Sequence, residues 1–176
     1  MITPDTKDWT WVLERSCDDC GLDTPAVVRE DVPGMVRANA AEWQRLLADD
    51  PAELRCRPQP DVWSTLEYAC HVRDVFRLFD RRLVLMLTEE APAFANWDQD
   101  ATAVAERYAE QDPTTVSADL AAAAEQLAQS FAGVSGEQWQ RTGLRSDGAR
   151  FTVDSFSHYL IHDPVHHLYD VTGVRL

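Results

Sequence analysis

The stretch PDVWSTLEYACHVRDVFRLFDRRLVLML, residues 60–87, constrains the fold more than any other part of this chain. Ser64 and Glu67 stand at capping-box spacing, where each side chain satisfies a backbone N–H at a helix start. Behind them Leu66, Ala69, Val72, Phe76, Phe79, Leu83 and Met86 recur at helical spacing. A long amphipathic helix is the prediction. Three more segments carry helix signals. One starts at Thr24-Pro25, an N-cap followed by proline, is disturbed at Pro33-Gly34 and ends before Pro51. Another spans Thr115 to Phe131 and stops at Gly133. The last follows the turn SDGAR, takes Thr152 as its N-cap and runs toward Gly173. A loop rich in Pro, Asn and Asp covers residues 90–100, followed by a short helix over 101–110. Strand signals are sparse. Four long helices joined by moderate connections predict an all-α four-helix bundle.

A length of 176 residues fits one domain, divided into an N-terminal arm over residues 1–24 and the bundle over residues 25–176. Sixteen basic against thirty acidic residues leave a formal charge of -14. Such a surface repels phosphate backbones and anionic membranes, so neither nucleic acid nor a membrane is expected as a partner. The N-terminal residues form no signal-peptide core and no membrane span. With four cysteines and no secretory signal, the expectation is reduced thiols in a cytoplasm.

Four of the five histidines crowd into SHYLIHDPVHHLYDV, residues 157–171. Residues four apart on a helix sit roughly 40° apart. His158, His162 and His166 therefore share a ridge, while His167 points about 100° away from His166. Two imidazoles at this spacing can share a metal ion but need a third ligand, and the remaining histidine is His71. The competing reading is a solvated polar face, because the ridge lies opposite Val153, Phe156, Leu160 and Val171. His71 likewise flanks its helix's apolar arc, as a rim histidine does. HDPVH is a poor match to the HExxH motif, since Asp163 is a methylene short for a general base and Pro164 follows it. Pro164 itself either kinks a continuous helix or starts a new one with Asp163 as N-cap.

Three segments together resemble the DinB-like superfamily of metal-binding four-helix bundles: RANAAEWQRLL, the WSTLEYACH context of the second helix, and SFSHYLIHDPVHHLYDV. The resemblance covers about residues 25–172. It implies a divalent metal ion held by His71, His162 and His166, with His158 an upstream neighbour. Asp74, three residues after His71, and Asp170, four after His166, are candidates to orient those imidazoles, and Tyr159 to line the pocket. The pattern departs from the family at Ile161 and at Leu168, Tyr169 and Asp170, where the family often has glutamate and R-G-Q. This bears on the reaction more than on the metal.

Three imidazoles leave coordination positions open, as in catalytic sites. Zinc is the default ion, with nickel, iron or manganese compatible. The resemblance implies a metal-dependent thiol S-transferase acting on a small electrophile. A composition rich in Ala, Arg and Asp suggests a high-GC bacterium and a mycothiol-like thiol. The alternatives are a metal-dependent hydrolase and a non-catalytic metal or ligand-binding bundle. A homodimer through a helix face is the expected assembly. Cys17 and Cys20 form a C-x-x-C like half of a zinc knuckle, but Cys56 and Cys70 lie fourteen apart and supply no second half. The expectation is an arm that packs Trp9 and Trp11 on the bundle, its cysteines reduced.

Overall fold

In the computed structural model, which describes Ile2 and residues 8–176, the capped stretch is helical over its whole apolar repeat. In chain order the described helices are α1 (Val32–Leu46), α2 (Pro51–Leu54), α3 (Thr65–Thr88), α4 (Gln99–Ala105), α5 (Pro113–Ala132) and α6 (Val153–Thr172). Three short strands accompany them: β1 (Ala93–Phe94), β2 (Thr142–Arg145) and β3 (Arg150–Thr152).

The α3 capping box forms as the spacing predicts. Ser64 Oγ accepts from Glu67 N at 3.3 Å, and Glu67 Oε2 accepts from Ser64 N at 2.8 Å. The four long helices make the bundle: α5 packs on α3 and α1, and α6 packs on both α1 and α3. Trp43, Phe76, Leu127, Phe131 and Leu160 fill the interior between them, each essentially buried. No described helix is long and apolar enough to cross a membrane.

Two expectations need correction. The first long helix starts at Val32, not at Thr24. Thr24–Ala26 and Arg29–Asp31 are separate 3₁₀ turns. Pro33 sits in the first turn of α1, where a missing N–H costs nothing, so it marks the start of the helix instead of disturbing its middle. The second correction is the sheet, ordered β1-β2-β3, with β1 parallel to β2 and β3 antiparallel to it. Asp147-Gly148 turns the β2–β3 hairpin, with Gly148 at φ +93°.

Pro164 does not break the last helix: α6 is continuous from Val153 to Thr172. The Asn39 side chain of α1 donates to the Pro164 carbonyl at 2.8 Å and ties the two helices together there. Thr152 caps α6 through Ser155, and Gly173 ends it in the left-handed conformation at φ +68°.

Candidate metal centre

The apolar stripe of α6 faces the bundle, with Val153, Phe156 and Leu160 buried. The opposite ridge is not a solvated face. Residues 9–22 lie across it: Trp9 meets the His166 ring at 4.9 Å and the His162 ring at 5.2 Å, and Trp11 meets His162 at 6.3 Å. His162 is left 4% exposed. α6 is therefore buried on two sides, by the bundle and by this N-terminal segment.

Within that segment the C-x-x-C closes a tight turn. Gly21 N donates to Cys17 O and Cys17 N to Leu22 O, each at 2.9 Å. Gly21 takes φ +84°, and a Cβ there would lie 2.7 Å from the Leu176 carbonyl oxygen. The C-terminus crosses the same turn, since Leu176 N donates to Cys20 O at 2.9 Å. Both thiols are 1% exposed. Ligand atoms of Cys17, Cys20, His162 and His166 all lie within 4.8 Å of one another.

A second group forms one step around α6. His71, Asp163 and His167 bring their ligand atoms within the same 4.8 Å limit. His71 is completely buried, stacked on Trp97 at 5.3 Å and tilted against Trp63 at 5.2 Å. It is no rim histidine. Its Nε2 stands 3.5 Å from Asp163 Oδ1, and His167 Nε2 stands 3.8 Å from Asp163 Oδ2.

The three histidines singled out from the sequence are thus divided. The structure joins His162 and His166 to two cysteines, and His71 to Asp163 and His167. Asp163-x₃-His167 repeats the spacing of His162-x₃-His166, displaced by one residue and so by about 100°. That second i,i+4 pair was the signal available for Asp163 and His167. No local signal ties Cys17 and Cys20 to residues 162 and 166.

The other candidates fall as follows. Asp170 accepts from His167 Nδ1 at 2.8 Å and lies 3.7 Å from His166 Nε2, so one carboxylate touches a ring from each group. Asp74 instead holds Arg73 and Arg77 and accepts from Tyr108 Oη at 2.6 Å. His158 Nε2 is buried with no hydrogen-bond partner among the described residues. Tyr159 lines a cleft and takes a hydrogen bond from Arg145 at 2.9 Å.

His71, His162 and Asp163 are in the protonation state a cation needs. Burial holds His71 and His162 below the ordinary imidazole pKa, His162 at about 4, so both rings are neutral at neutral pH. Burial would raise the Asp163 carboxyl, but the facing His167 and His71 rings outweigh it and keep it ionised. Both ring nitrogens of His71, Nε2 of His162 and Oδ1 of Asp163 are buried without a hydrogen-bond partner among the described residues. Unsatisfied buried polar atoms cost roughly 1–3 kcal/mol each unless something meets them. Two donors aimed at one point without hydrogen-bonding each other fit a shared ion.

The cleft encloses about 740 Å³ and reaches Asp163 and His167 and also His162 and His166, while His71 lies behind its wall. Trp63, Tyr68 and Trp97 form its apolar wall, and Arg82, Arg145 and Tyr159 its polar one. Arg145 is engaged by Asp147 and by Tyr159. Arg82 donates to the Ala95 carbonyl, and among the described residues no carboxylate pairs with it.

Residues 35–171 match the family model described as the DinB superfamily. Among solved structures, YfiT from Bacillus subtilis superposes with a TM-score of 0.75 at 19% identity, covering 82% of this chain and 84% of that one. It is described as a probable metal-dependent hydrolase with an unusual four-helix bundle topology. The mycothiol-dependent maleylpyruvate isomerase superposes with a TM-score of 0.64 at 15% identity, over 84% of this chain. This chain spans 60% of the isomerase's length. At these identities the likeness is one of fold. Comparison with curated protein sequences finds no match.

Proposed function

Because the chain belongs to the DinB superfamily, whose model spans residues 35–171, we propose that it is a metal-dependent enzyme. In this reading His71, Asp163 and His167 hold a divalent ion, and a low-molecular-weight thiol attacks a small electrophile in the adjoining cleft. The observation that carries it is a set of three convergent donors, two of them with unsatisfied buried atoms, where the cleft reaches Asp163 and His167. Three protein donors leave room for an exogenous ligand, unlike a closed structural site. Bound there, a divalent ion lowers the pKa of a coordinated thiol or water.

The chain's own residues do the rest. Asp170 holds Nδ1 of His167 and so directs Nε2 toward Asp163. Trp97 and Trp63 lock the His71 ring and keep water from it. Arg82, which has no carboxylate partner among the described residues, offers a guanidinium for an anionic group on the thiol or the electrophile. Zinc is the expected ion, with nickel, iron and manganese also suited to nitrogen and oxygen donors. The thiol reading is supported by the fold shared with a mycothiol-dependent isomerase. It carries with it a bacterial cytoplasm, a homodimer, and the chain ahead of residue 25 as an arm on the bundle.

The test is a panel of electrophiles offered to metal-loaded protein with and without mycothiol or glutathione. Thiol-dependent turnover that disappears in His71→Ala and His167→Ala is the expected result. Turnover that survives both substitutions sinks the reading. Turnover without any thiol selects hydrolysis, the activity in YfiT's description.

A further inference from the structure

We infer that Cys17, Cys20, His162 and His166 form a second metal centre, a closed structural zinc site that fastens the N-terminal segment to α6. It is separate from the His71–Asp163–His167 group and does not depend on the reaction proposed for that group.

The donor set comes first. Two cysteines three apart and two histidines four apart supply two thiolates and two imidazoles, a full tetrahedral complement for zinc. Soft thiolate sulfur favours zinc over magnesium, calcium or manganese. Two thiolates neutralise a divalent ion completely. That matters here because Cys17, Cys20 and His162 are all nearly inaccessible, and burying net charge is costly. The other group carries one carboxylate, so an ion there keeps a net positive charge, which suits an anionic ligand from the cleft. His162 and His166 border that cleft, but Cys17 and Cys20 do not line it.

The distances agree. Zinc–sulfur bonds of about 2.3 Å and zinc–nitrogen bonds of about 2.0 Å at a tetrahedral angle put S and N about 3.5 Å apart. Cys17 Sγ and His166 Nδ1 are 3.6 Å apart. His162 Nε2 is buried with no hydrogen-bond partner among the described residues. Nε2 of His166 points the other way, toward Asp170 at 3.7 Å, the carboxylate support typical of a metal-bound histidine.

The surroundings are built for a fixed turn. Gly21 adopts a conformation closed to side chains, and the C-terminal backbone bonds to Cys20 over it. Without a cation, burial pushes the Cys20 thiol up to about 11 and keeps it protonated. On binding, each thiol loses its proton to solvent, two S–H bonds break and two zinc–sulfur bonds form, with no change of oxidation state.

The experiment measures metal content and the cobalt(II) spectrum of protein prepared without chelator or affinity tag. Wild type is expected to hold two zinc equivalents. Its cobalt-substituted form is expected to show the near-ultraviolet thiolate-to-cobalt charge-transfer band with tetrahedral visible bands. Cys17→Ser with Cys20→Ser should lose one equivalent and the charge-transfer band. His71→Ala should lose the other equivalent and keep that band, so the two sites fail independently. A cobalt-loaded wild type without the thiolate band overturns the inference, whether or not the serine variant folds. So does mass spectrometry showing Cys17 and Cys20 joined as a disulfide in freshly prepared protein.

Discussion

Glu67 closes the α3 capping box and also takes the Arg57 guanidinium, Nε to Oε2 at 2.8 Å. Burial alone would raise its pKa, but Arg57 and the Ser64 groups outweigh this and hold the carboxyl below its ordinary value. A carboxyl depressed in the folded state adds stability above its unfolded pKa of about 4.3. That contribution is lost as pH falls through the lower folded value. Glu67→Gln is therefore expected to cost roughly 1–3 kcal/mol near neutral pH and much less in acid. Urea unfolding of both proteins across that range checks it, and an equal loss at every pH would contradict the assignment. The box itself was legible from the Ser64–Glu67 spacing. Arg57 was not, because a partner ten residues upstream depends on how the chain returns to the helix start. Asp170 follows the same pattern: its distance from His166 along the helix was readable, whereas its stronger bond to His167 depends on rotamers chosen by packing.

Among the elements, the long helices announce themselves and the sheet does not. Strands of two to four residues are too short for an alternating pattern to emerge. Their positions come from packing: Gly143 in β2 lies against the Phe94 ring of β1, and a Cβ there would clash with Phe94 Cζ. Phe94 is itself buried beside Phe156 of α6, so it has little space to yield. Gly143→Ala is expected to destabilise the protein by roughly 1–3 kcal/mol through overpacking. A thermal midpoint equal to wild type would show that the ring moves freely. Pro164 left two readings of α6 open, and local pattern had no means of choosing. The helix continues because the buried Asn39 bond and the faces packed on both sides hold it in line.

For the molecule as a whole, metal binding at the proposed centres would be linked to folding, since their ligands come from distant segments that converge only in the native state. An ion held at about 100 times its Kd adds about 2.7 kcal/mol. Removing bound metal with a chelator is expected to lower the thermal midpoint and to increase acrylamide quenching of tryptophan, as Trp9 and Trp11 leave the His162 and His166 rings. An unchanged midpoint would mean that no bound ion supports the fold. By itself, the sequence determined the bundle, the ends of α3 and α6, and the pairing of His162 with His166. Caps and helical periodicity act over a few residues, and those residues are adjacent in the chain. Tertiary structure alone decided which cluster each histidine joins. Two i,i+4 pairs displaced by one residue on α6 face different neighbours, and only folding sets Cys17 and Cys20 against one pair and His71 against the other.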